Sequence, residues 1–352
     1  MPSSSAQEAH SVLLCTRPPM PKASSTGSGG SSPSTAPAGL ALLLLGHRQR
    51  LMFTTLPANV VAPVVQGGTP LTLFALLENS TMSKAFRGRR PMGNPALASL
   101  SDAQLATQLS KDVQTAGGTI GQIRIEPRPV ARLPEGLPTR LSRYSEGVKL
   151  TVATRFLKES IGLRMVVQYE ARMAARAGAA ATHRFEWVLW TREDSHWFAP
   201  LMLHTFRRGA VHGKSCGGFG GWNDKVWLMD REFAEPMLSM YTDFHVPHLA
   251  KCTDLSARRA TGGVGARDTA NLAVDFLAAP SVEQFRERVG KLRRVPFVKH
   301  PPEALPTMDS YYTQRGDGSW RLCFPRIYAN GCVPRANVSA VESGHTCDRK
   351  RI

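Results

Sequence analysis

The chain is short of the features that most often announce a function. No run of about 18 apolar residues occurs in its 352 residues, so the sequence predicts no membrane-spanning helix. The six cysteines, Cys15, Cys216, Cys252, Cys323, Cys332 and Cys347, make no CxxC pair and no Cys/His spacing, which excludes the common structural zinc sites. There is no GxGxxG dinucleotide fingerprint, no kinase motif set and no internal repeat. Ser215-Cys216 lies beside glycines, yet no partner base is assignable to it, so nucleophilic hydrolysis has little support. Acids are scarce as well: 27 Asp and Glu stand against 44 Lys and Arg, a formal net charge of +17. Such a balance favours anionic partners. The basic residues are scattered, however, with the densest run at 84–90. No zinc-finger, homeodomain or RNA-recognition pattern accompanies them, so specific nucleic-acid binding is not expected.

What is present suffices for a core, since 42% of the residues are hydrophobic. Residues 1–39 are rich in Ser, Pro, Gly and Ala and almost free of acids, and they read as a disordered tail or a targeting segment. Residues 40–335 read as a single domain and 336–352 as a flexible tail. Cys323 and Cys332 flank a short segment that a disulfide would close in an oxidising compartment. Asn79-Ser80-Thr81 and Asn337-Val338-Ser339 are glycosylation sequons. Together with the clustered cysteines they tilt the expected location towards the secretory pathway, with a soluble cytoplasmic or plastid location as the alternative.

Hydrophobic periodicity orders the elements. The apolar run 40–46, ended by glycine, predicts a buried first strand. Residues 51–65 suit a short helix that Pro57 and Pro63 would interrupt. A second strand is expected at 71–78, ending on Glu78. A helix follows at 101–114, capped by Ser101, with Leu105, Leu109 and Val113 on one face. A third strand is expected at 119–125 and a helix at 160–176. The Phe185-Glu186-Trp187-Val188-Leu189-Trp190-Thr191 run then reads as a core strand. A capping box at Ser281 and Gln284 marks a later helix, and the segment beyond Pro301 reads as loop. Alternating strands and helices imply an α/β fold, a mostly parallel central sheet flanked by helices.

Two segments carry the candidate chemistry. The core strand stops on Arg192-Glu193-Asp194, and strands of α/β sheets present ligands at their carboxyl ends. Two carboxylates there suit a hard divalent cation, which prefers oxygen. Asp194 is the expected metal ligand, with Glu193 a second ligand or a contact to a ribose; the competing reading is an exposed strand end with an Arg–Asp pair. His196 nearby is more readily structural than catalytic. The second segment, 217–225, packs four glycines before Trp222-Asn223-Asp224-Lys225. Glycine lets backbone approach a ligand closely, and Gly220 and Gly221 are placed for that. Asp224 is the candidate base for an acceptor hydroxyl, or else a structural cap. Asn223 suits a sugar hydroxyl, Trp222 a sugar face, and Lys225 either Asp224 or a phosphate.

The series Glu186-Trp187-Val188, Thr191-Arg192-Glu193-Asp194, Trp197 and Ala199-Pro200, followed by Gly220-Gly221-Trp222-Asn223-Asp224-Lys225, resembles a glycosyltransferase-like family of plants and green algae. Cys323-Phe324 and Gly331-Cys332-Val333-Pro334 resemble its closing segment, so the likeness spans roughly 40–335. It implies a nucleotide-diphospho-sugar transferase fold, GT-A-like and Rossmann-like, with Asp194 at the metal-motif position and Mn²⁺ or Mg²⁺ as cofactor. The implied partners are a nucleotide-sugar donor and a carbohydrate or glycoconjugate acceptor, and a Golgi location would suit them. Members of that family carry a strand ending in Arg-x-Asp, and the motif here is Arg-Glu-Asp, not a full Asp-x-Asp. That departure keeps open an inactive relative that binds carbohydrate or nucleotide on the same scaffold.

Overall fold

The predicted first strand, β1 (Leu40–His47), is buried along its whole length, as a strand covered on both faces must be. The computed structural model describes residues 39–79, 94–132, 146–177, 183–216, 223, 225–243, 295–309, 311–314, 317, 319–325 and 346–347. β2 (Leu71–Glu78) is equally buried, and β3 (Thr119–Glu126) and β4 (Trp187–Arg192) stand where the periodicity places them. Four further elements follow as β5 (Ser195–Trp197), β6 (Val211–Lys214), β7 (Val226–Asp230) and β8 (Phe297–His300).

Seven strands form the central sheet in the order β3-β2-β1-β4-β7-β6-β8. Strand β7 runs antiparallel to both β4 and β6, while the other four neighbouring pairs are parallel. The fold is thus the mostly parallel, helix-flanked α/β sheet expected. Alternation divides the side chains between two cores. Ala41, Leu43, Leu45, Phe74, Leu76, Val188 and Trp190 lie in one; Leu40, Leu42, Leu44, Leu73, Leu77, Trp187 and Leu189 lie in the other.

Helix α1 (Asp102–Thr115) buries Leu105, Leu109 and Val113 in the second core. Its capping box is complete, with Ser101 accepting from the Gln104 backbone and the Gln104 side chain accepting from the Ser101 backbone. Helix α2 (Glu146–Ala177) covers the first core and begins well before the predicted start at 160. It approaches β1 closely at Gly162, where a Cβ would lie 2.7 Å from Leu43 Cδ2. The prolines of 51–65 do not break the chain there. Pro57 opens the π-helical turn Pro57–Val61, and Pro63 lies in the first turn of Ala62–Gln66, where a missing N–H costs little.

Beyond Pro301 the expected loop instead contains strands. β9 (Thr307–Asp309) pairs antiparallel with β5, and β10 (Tyr311–Gln314), β11 (Trp320–Pro325) and β12 (Thr346–Cys347) make a small sheet. The partner of β9 is remote in sequence, since Asp309 pairs with Ser195, so local pattern does not reveal it; β10 and β11 are neighbours in sequence and pair antiparallel. The helix expected at Ser281 lies outside the described residues. No described helix is long and apolar enough to cross a membrane.

Candidate functional site

Parallel register brings the ends of β1, β2 and β4 together. His47 pairs with Glu78 and Leu45 with Arg192, so everything just beyond those residues meets at one edge of the sheet. The edge is charged and buried. His47 Nε2 lies 3.7 Å from Glu78 Oε1, and Lys158 of α2 lies 3.3 Å from Glu78 Oε2. Burial, helped by Arg50 and Lys158, lowers the His47 pKa more than Glu78 and Glu193 raise it, so its imidazole is neutral at physiological pH and the contact with Glu78 is not an ion pair.

Strand β4 stops at Arg192, and both acids after it turn inward. Glu193 and Asp194 are 5% and 3% exposed, so the exposed strand end of the competing reading is not what forms. The backbone N–H of Glu193 donates to the Leu45 carbonyl at 3.2 Å, and its own carbonyl accepts from Met52 at 2.7 Å. The carboxylate fills the space over Gly46, where a Cβ would lie 1.9 Å from Glu193 Oε2. Two arginines bind the acid pair. Arg192 Nη2 donates to Asp194 Oδ2 at 2.7 Å, and Arg50 Nη2 donates to the same oxygen. Arg50 Nη1 is 3.5 Å from Glu193 Oε1, and Arg192 Nε is 3.9 Å from Glu193 Oε2. Burial, the largest influence on Glu193, would raise its pKa. The cations Arg50, Arg192 and Lys158 together outweigh it and hold the group at about 2.

Sequence reasoning passed over Arg50, His47, Lys158 and Gly46. Glu78 was visible as an acid at a strand end. Arg48 is committed elsewhere, to Asp102 and to the Leu97 and Leu100 carbonyls, which closes the short helical turn Pro95–Ala98 against α1. Asn79 of the first sequon donates its amide to Asp102 at 2.8 Å, and a glycan on that nitrogen would leave it a single N–H for the bond.

The second segment reaches the same edge. The Arg192 N–H donates to the Lys225 carbonyl at 3.0 Å, which ties the acid motif to the end of the glycine-rich turn. Asn223 is 3% exposed, and its amide is spent on backbone: Nδ2 donates to the Cys216 carbonyl at 2.7 Å, and Oδ1 accepts from the Lys225 N–H at 2.9 Å. It ties Cys216 to Lys225. Asn223→Ala strands both backbone groups and is expected to cost about 1–3 kcal/mol of stability, read by urea denaturation. Gly220, Gly221, Trp222 and Asp224 lie outside the described residues. Cys216 is disulfide-bonded.

Gly213-Lys214-Ser215-Cys216-Gly217 also has the Gly-x-Ser-x-Gly spacing of a nucleophile elbow, a match that reading the sequence passed over. Among the described residues no histidine bonds the Ser215 hydroxyl. The nearby His212 ring is held at 2.7 Å from the Arg207 carbonyl and 2.8 Å from His300 Nε2, and Lys214 Nζ donates to the Thr307 carbonyl.

The donor set can be tested against the Mn²⁺ or Mg²⁺ that Asp194 and Glu193 were expected to hold. Asp194 Oδ1 is buried without a hydrogen-bond partner. The other three carboxylate oxygens face guanidinium groups. Hard cations take several oxygen ligands, and a single oxygen beside two arginines is not such a set. Among the described residues no group of three or more His, Cys, Asp or Glu is placed to hold a metal ion. The acids also lie deepest. Their side chains are 6% and 4% exposed, against 29% for Arg50 and 16% for Arg192. The residues as placed do not fit a divalent cation.

No family model and no curated protein matches the chain. Among solved structures, the glycosyltransferase GlyE of Streptococcus pneumoniae TIGR4 aligns with 75% of this chain at 11% identity and a TM-score of 0.28. The chain covers 45% of the GlyE chain. Apo mouse xyloside xylosyltransferase 1 aligns with 75% of this chain and 85% of its own, at 10% identity and a TM-score of 0.38. Likeness this loose carries no functional argument, which rests on the site alone.

Proposed function

We propose that the protein is a glycosyltransferase that moves a sugar from a nucleoside-diphosphate donor to a hydroxyl-bearing acceptor. The observation that carries this reading is the buried charged edge formed by His47, Glu78, Arg192, Glu193 and Asp194 at the carboxyl ends of three parallel strands, with Arg50 laid across it. In the reaction the acceptor oxygen bonds to the anomeric carbon and the bond from that carbon to the diphosphate oxygen breaks. The diphosphate leaves with the electron pair, so cationic side chains at that position lower the barrier. The acceptor proton goes to a base, a role we assign to Asp224, beside Asn223.

Titration with UDP and GDP, followed by assay of nucleoside-diphosphate release from a panel of UDP- and GDP-sugars, tests the reading. Saturable binding with release is expected, and Asp224→Asn should slow release and transfer by roughly 10²-fold or more while UDP or GDP still binds. Absence of binding for both nucleotides would rule the reading out. Binding without release from any donor would favour the second reading, a non-catalytic relative. The Arg192 guanidinium in place of a first motif acid is the observation that supports it.

A further inference from the structure

The four charges gathered at the end of β4 are layered, and the layering has chemical meaning. Asp194 and Glu193 form the floor, and Arg192 and then Arg50 lie nearer to solvent. A ligand arriving from solution therefore meets guanidinium groups before it meets carboxylates. Each guanidinium offers a planar fork of N–H donors that matches phosphate oxygens, which an ammonium does not. The acids below fix those forks: Asp194 Oδ2 accepts from both arginines, and Glu193 lies between them, wedged over Gly46. Arg50 also belongs to the loop after β1, whereas Arg192 ends β4, so a group bridging them would be gripped from two strands.

Resting on the glycosyltransferase reading, we infer that Arg50 and Arg192 hold the donor diphosphate themselves, with Glu193 and Asp194 as positioning residues beneath them, and that nucleotide binding requires no divalent cation. The arginines then supply directed N–H donors to the leaving diphosphate in the place of a metal.

Calorimetric titration of the full chain with UDP and with GDP, in EDTA and in Mn²⁺, distinguishes the possibilities. The expected result is a Kd within about two-fold between EDTA and Mn²⁺. It should weaken at least ten-fold in Arg50→Gln and in Arg192→Gln, and less in Arg50→Lys, which keeps the charge but loses the fork. A circular dichroism spectrum checks that each variant folds, and Arg50→Lys serves if the glutamine variants do not. Binding that appears only with Mn²⁺ would overturn the inference and leave the transferase reading standing. Metal-free binding unchanged in the folded arginine variants would also overturn it. Failure of both nucleotides to bind under either condition would remove the transferase reading and this inference together.

Discussion

Glu170→Ala should lower the unfolding free energy by about 3–5 kcal/mol, because it leaves a buried arginine without its counter-ion. Arg231 opens helix α3 (Arg231–Leu238), and its Nε and Nη2 donate to the two Glu170 oxygens at 2.9 and 2.8 Å. Both residues are 8% exposed. Glu170 Oε1 also accepts from the Phe185 N–H at 3.1 Å, which fixes the chain just before β4. The loss thus has two parts: an unpaired charge and an unsatisfied backbone donor. Adding Arg231→Met should restore much of the stability, since the apolar replacement removes the stranded charge. Urea denaturation of the two single variants and the double variant measures the coupling. If the double variant is as unstable as the sum of the singles, the ion pair is not the source of the loss.

The second large effect depends on pH. Glu193 titrates near 4.5 in an unfolded chain and is held at about 2 in the folded one. That gap is worth about 3 kcal/mol. The folded pKa lies below the unfolded one, so the contribution is fully present above about pH 4.5 and is lost as the pH falls from there towards 2. Glu193→Gln has no proton to bind in that window. The stability difference between the native chain and this variant should therefore shrink steadily below pH 4.5 and stay flat between pH 6 and 8. A difference that is constant down to the acid limit of the folded state would show that Arg50 and Arg192 do not hold the carboxylate ionised.

Local pattern was sufficient for β1, β2 and β4, whose uninterrupted Leu, Val and Trp runs can only be buried. It was sufficient for α1, whose capping box and apolar stripe lie within 14 residues. It failed for β6, where Val211-His212-Gly213-Lys214 shows neither alternation nor a continuous apolar run. That strand is nonetheless buried throughout, because its polar members are bonded to the Arg207 carbonyl, His300 and the Thr307 carbonyl. The acid motif was legible because β4 ends abruptly on it. Its arginine partner was not: Arg50 and Asp194 are 144 residues apart, and only the parallel pairing of β1 with β4 makes them neighbours. The sequence showed Arg192 beside two acids but not that the acids would lie underneath, since depth is a property of packing and not of order along the chain.

The reversed direction of β7 has a consequence for how the two candidate segments meet. A parallel strand there would have its beginning at the opposite edge of the sheet, so Asn223 and Lys225 would be stranded roughly 15 Å away, the span of a five-residue strand. Running backwards, β7 starts where β4 ends. Two stretches that are distant in sequence are thereby delivered to one rim without a crossover helix. A one-residue slip of β7 against β4 would break the Arg192–Lys225 bond and point Trp227 away from Trp190, whose rings now lie 4.9 Å apart. The register of a single antiparallel pair is the hinge pin on which the whole arrangement hangs.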